Sequence, residues 1–224
     1  MECAYLLELQ VQMSIIDFKV LCVNRILRYS ASIMNQIKTF NIFLKVSLVG
    51  LLVHAVYFSD LPQYKNKAIA LRVIFYPLTA LATWIIWAIA NRKTTKKSPY
   101  PHIIDACLTF VVAFDLLGNT LALYDDITWW DDVMHLLLSI PWVLVAGFML
   151  KDLKVRPWVL FFLVVAYGST SHIIWELLEY LSFVRSNPTE SLTAYRDTMG
   201  DLSLSTLGTF VGAWMTVGFL RKDD

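Results

Sequence analysis

The sequence predicts an all-α, polytopic membrane protein built as a six-helix transmembrane bundle, and three observations carry that prediction. Hydrophobic residues make up 57% of the 224-residue chain and charged residues only 17%, with a mean hydropathy of +0.56, which is far more apolar than a soluble domain. The apolar residues gather into stretches of about 20 residues, the length that crosses a bilayer as a helix. The basic residues fall unevenly between alternate loops, as they do in multi-span proteins.

Residues 1–40 read as a cytoplasmic N-terminal segment. Glu8, Asp17, Lys19, Arg25 and Arg28 interrupt its apolar residues, so it is not a standard signal peptide. Two readings stay open for it: a disordered extension, or an interfacial helix using Leu21, Ile26 and Leu27. Residues 41–220 form the transmembrane domain, and 221–224 a short cytoplasmic tail. The first span covers Asn41 to Phe58 and the second Ala68 to Ala90, with Pro77 as a candidate kink. Lys45 and Arg72 read as snorkelling side chains near span ends. The loop Asn91 to His102, with Pro99 and Pro101, precedes a third span over Ile103 to Tyr124 that carries Asp105, Asp115 and Asn119. Asp115 and Asn119 lie four apart on one helix face near mid-membrane, where a carboxylate must point into the bundle.

A short acidic and aromatic loop, Tyr124 to Asp132, leads into span four, Val133 to Leu150. Pro157 suits the first turn of span five, Trp158 to Leu181. Gly168, Ser169, Thr170 and Ser171 are small enough to admit a neighbouring helix. A polar loop, Ser182 to Gly200, ends at Asp197 and Asp201, either of which could be the N-cap of span six, Leu202 to Leu220. That span contains Gly208-x-x-x-Gly212, a weak helix-contact signal on its own. Trp129, Trp130, Trp175 and Tyr180 read as interfacial anchors or bundle packing.

Thirteen Lys and Arg fall in the N-terminal segment, the 91–102 loop, the 151–156 turn and the C-terminal tail, against four at Lys65, Lys67, Arg185 and Arg196. The positive-inside rule then puts both termini in the cytoplasm and the acidic loops outside. A net charge of +1 offers no basic field for nucleic acid. Cys3, Cys22 and Cys107 lack the spacing of a disulfide framework or a thiolate metal site. The lipid bilayer is the expected partner, and homo-oligomerisation stays open.

Polar residues return to one membrane depth from three helix ends. Asp131 and His135 are four apart, as are Asp197 and Asp201; Asp132 and His135 are three apart; and His172, Glu176 and Glu179 share one face. Imidazole with carboxylates at these spacings suits a divalent metal such as zinc, manganese or iron. The candidate ligands are Asp131, Asp132, His135, His172, Glu176, Asp197 and Asp201, with Asp115 and Asn119 in support. Glu176 or Glu179 would then be the general base of metal-assisted hydrolysis or group transfer on an envelope or lipid substrate. The same residues could instead form a proton or ion path, in a transporter, or a hydrogen-bonded network in an assembly or scaffold protein. Few ionisable groups occupy the inner halves of spans four and six, which weighs against a path.

Three motifs in order, W-W-D-D-V-M-H over Trp129 to His135, W-E-L-L-E-Y over Trp175 to Tyr180, and D-T-M-G-D-L-S-L-S-T-L-G over Asp197 to Gly208, carry a family likeness. Together the chain resembles the YjdF-like bacterial inner-membrane proteins across about residues 45 to 220. The resemblance implies a polytopic helical protein of the bacterial inner membrane, supplies no reaction, and makes the first forty residues an addition to the usual start.

Overall fold

The computed structural model describes residues 32–65, 67–95, 98–150, 153–182, 184–186 and 188–220. The expectations for residues 1–31 and for the tail 221–224 lie outside these. The chain divides into two compact units, Met1–Phe40 and Asn41–Asp224; the described part of the first is the beginning of a helix. Among the described residues there is no strand. The helices are α1 (Ser32–Tyr57), α2 (Ile69–Ala90), α3 (His102–Thr120), the single turn α4 (Leu123–Asp126), α5 (Trp130–Leu150), α6 (Pro157–Ser182) and α7 (Pro188–Leu220).

Five of them, α1, α2, α3, α5 and α6, are long and apolar enough to cross a bilayer. The expected count of six is therefore met only in part. α7 is the longest helix at 33 residues, but it carries Arg196, Asp197 and Asp201, and its second half is diluted by Ser, Thr and Gly. Three boundaries also differ from expectation. α1 starts at Ser32, before Asn41. α3 stops at Thr120 because Ala122 takes a left-handed φ of 56°, a conformation that ends a right-handed helix. Asp115 and Asn119 consequently sit in its last turns and not at its middle. Most of the polar loop before Gly200 is helix from Pro188 onward. Neither Asp197 nor Asp201 caps anything, since both lie well inside α7.

The helices pack in two groups. α1, α2 and α3 share a core of Leu48, Ala55, Tyr76, Ala80, Val112 and Leu116, and α5, α6 and α7 share one of Val143, Leu160, Val164 and Ala213. α3 joins the groups by packing on α5. The outward surface is apolar, with Val46, Ile89, Phe43 and Trp158 all more than half exposed. Such a surface suits acyl chains and would aggregate in water. α7 shows the inversion most clearly. Beside Ala213 its buried face carries Asp201, Ser205, Thr209 and Thr216, and its exposed face includes Leu207, Phe210 and Trp214.

Small residues bring α7 close to its neighbours, which is how helices associate where lipid removes the hydrophobic driving force. Gly168 faces Thr209 and Val143, Gly208 faces the Leu136 carbonyl, and Gly212 faces Val143. The run at Gly168 and the Gly208-x-x-x-Gly212 pair are thus contact surfaces. At Gly208 an added side chain meets backbone, which cannot rotate away. Gly208→Val should destabilise the bundle by about 1–3 kcal/mol, read as a lower melting temperature in detergent. Gly218→Ala, where no atom stands within reach, should leave it unchanged.

Candidate functional site

The end of the bundle where α2, α6 and α7 meet the α3–α5 turn gathers a polar cluster of two adjoining parts. The first is centred on Arg72, in the first turn of α2 and only 5% exposed. Its Nε donates to Tyr76 Oη at 2.9 Å and to Asp115 Oδ2 at 3.1 Å. Its Nη1 donates to the Lys67 carbonyl, which the left-handed turn at Ala68 (φ 49°) presents to it. Nη2 stands 3.6 Å from Glu179 Oε1, and the guanidinium lies 5.5 Å from the Trp175 ring centre, within cation–π range. Asp115 also accepts from Tyr76 and, at 2.9 Å, from Tyr124 of α4. Burial, and then the Asp115 carboxylate, push the Tyr124 phenol far above its usual pKa, so it serves as a donor. Asn119 reaches back to the Asp115 carbonyl at 3.0 Å.

The second part joins the start of α5 to α7. His135 Nε2 is 3.5 Å from Asp131 Oδ1 and 3.7 Å from Asp201 Oδ1, while its Nδ1 is 3.0 Å from Ser205 Oγ. One ligand atom from each of Asp131, His135 and Asp201 lies within 4.8 Å of the others. Donors around a tetrahedral zinc, with bonds of about 2.0–2.2 Å, stand roughly 3.4 Å apart, so small side-chain movements would close the trio on an ion. Ser205 is fully buried and Asp201 only 4% exposed, which makes this wall of the site rigid.

Of the seven candidate ligands, then, the fold brings three together. Asp132 is exposed, with Oδ1 over Gly200 of α7; it stands outside the trio because successive residues project about 100° apart around a helix. Asp197 is exposed too, and with Glu176, Glu179, Tyr180 and Thr198 it lines a cavity of about 40 Å³, room for a water or one small group. Glu176 is buried and faces Thr198 of α7 across that cavity. His172, a turn deeper on α6, has a buried Nε2 without a hydrogen-bond partner and lies outside the trio. Arg72, Tyr76, Tyr124, Thr198 and Ser205 were not anticipated from sequence. For Arg72 a signal existed: an arginine in an apolar span invites a search for its partner.

Six carboxyls, of Asp115, Asp131, Glu176, Glu179, Asp197 and Asp201, surround this end against the guanidinium of Arg72 and the ammonium of Lys67. Such an excess of negative charge suits a bound cation. Apolar helices facing lipid, enclosing a cluster of charges at one end, define an integral membrane protein of multi-pass helical type. The chain belongs to the family described as "Predicted membrane protein (DUF2238)", which matches residues 40–222. No curated protein and no solved structure matches it.

Proposed function

We propose that this protein binds a divalent metal, zinc, manganese or iron, through Asp131, His135 and Asp201. The proposal extends to metal-assisted hydrolysis or group transfer on an envelope or lipid substrate. The observation that carries it is the setting of His135. Its Nδ1 is held by Ser205 and its Nε2 faces two carboxylates; in the tautomer that gives Nδ1–H to Ser205, the Nε2 lone pair would be free for a cation beside Asp131 and Asp201, the usual way a metal-ligating imidazole is oriented. A bound metal would polarise a substrate oxygen or acidify a water. Glu176 suits the general base better than Glu179: both border the cavity, but Glu179 is engaged by Arg72. Beyond His135 and Asp201, α5 as far as Leu150 and α7 as far as Leu220 carry no ionisable side chain, which favours this reading over a proton or ion path. Metal analysis of purified protein tests it: near-stoichiometric zinc, manganese or iron is expected, and metal-free protein indifferent to added metal would sink it.

The finer placement is part of the same proposal: a YjdF-like protein of the bacterial inner membrane, crossing it six times with the second half of α7 as the sixth span, both termini cytoplasmic and the site outward. Thirteen basic residues against four support it. In a background without Cys3, Cys22 and Cys107, a cysteine at Asp126 should react with an impermeant thiol reagent on intact cells and one at Arg92 should not. The reverse pattern would turn the site toward the cytoplasm.

A further inference from the structure

At the opposite end of α3 lies a second buried polar cluster, unconnected to the first. Asp105, in the first turn of α3, is 1% exposed, and Asn41 of α1 is 4% exposed. Three donors crowd one carboxylate oxygen: Asn41 Nδ2 at 2.6 Å, Lys45 Nζ at 2.7 Å and Tyr100 Oη at 2.7 Å all reach Asp105 Oδ2. The other carboxylate oxygen, Oδ1, is buried with no partner, and so is Oδ1 of the hydrogen-bonded Asn41. Buried oxygens without partners are costly, at about 1–3 kcal/mol each and more when charged, so two of them on adjoining groups point to a missing ligand that accepts electron pairs.

The donors define its chemistry. A carboxylate oxygen, an amide oxygen and a phenol oxygen are hard ligands, suited to alkali and alkaline-earth ions and poorly suited to zinc or copper. One carboxylate charge matches one positive charge. Lys45 already supplies that charge, but its side chain is 32% exposed on a flexible stem that can carry the ammonium out to the headgroup level. Exchange of one cation for another leaves the charge of the buried site unchanged, and so avoids the cost of adding a second charge there.

We propose that Asp105, Asn41 and Tyr100 form a binding site for a monovalent metal cation of sodium type, which uses the unpartnered Oδ1 atoms of Asp105 and Asn41 and takes over the charge that the Lys45 ammonium now supplies at Asp105 Oδ2. Its ligands, its end of the bundle and its class of ion all differ from those of the Asp131–His135–Asp201 trio.

Two measurements on the full chain in detergent test this, comparing sodium, potassium and choline chlorides at equal ionic strength. On the native protein, an amine-selective reagent with mass-spectrometric readout should label Lys45 faster in sodium than in choline, by at least about twofold when the displaced fraction rises from a quarter or less to a half. Lys45→Met leaves Asp105 without its tethered cation, so sodium should raise its melting temperature by roughly 3 °C or more over choline. Asp105→Asn should lose the sodium response, and Asp131→Asn should keep it. Should Lys45→Met fail to fold, the labelling result on native protein decides alone. Labelling and melting that ignore cation identity would leave the two oxygens to a water molecule and overturn the proposal.

Discussion

Asp201→Asn should yield protein that folds in the membrane and carries no metal, with native protein carrying close to one equivalent. The substitution keeps the shape and much of the hydrogen bonding of the side chain while removing the charge that the proposed metal requires. It also relieves a crowd of carboxyls, since Asp131, Asp197, Glu176 and Glu179 all act electrostatically on Asp201. The metal-free variant should therefore melt no lower than chelator-treated native protein, and a chelator should lower the melting temperature of the native protein only. His135→Ala should lose metal as well, and Ser205→Ala should weaken retention by about 10–100-fold through the freed imidazole. Asp132→Asn should keep the metal, because Asp132 lies outside the trio. A network serving only to hold helices together predicts another ranking, in which His135→Ala costs stability, Asp201→Asn costs little, and no variant changes metal content.

Arg72→Met should be the most destabilising single change in the site, at about 3–5 kcal/mol. The guanidinium is buried and faces Asp115 and Glu179, so its removal strands carboxylates from two other helices without a partner. Loss would appear as a fall in melting temperature or in the yield of folded protein in the membrane. Arg72→Lys should rescue little, because a single ammonium cannot span Tyr76, Asp115, the Lys67 carbonyl and Glu179 as the planar fork does. Pairing Arg72→Met with Asp115→Asn should recover part of the loss. A variant as stable as native protein would show that Arg72 pairs no better there than water would.

The hydropathy of successive segments determined the all-α membrane class from sequence, because whether a segment enters a bilayer depends mainly on its own residues added together. Helix geometry then made two further features legible. The i, i+4 spacing of Asp131 with His135 puts both on one face, and the order of helices through the bilayer returns Glu176, Glu179 and Asp201 to the same end. What sequence could not supply was the rotation of each helix about its axis. That rotation decides that His135 meets Asp201 and Ser205, some seventy residues away, while Asp132 next door does not. It is set by close contacts such as Gly208 on the Leu136 carbonyl and Gly168 on Thr209, which join segments with no shared local pattern. The same holds for the two basic residues read as snorkelling. Arg72 turns inward to Asp115, and Lys45 to Asp105 sixty residues on. In lipid, a charge has few places to go, and only the packed neighbours determine whether it finds a carboxylate inside or the headgroups outside.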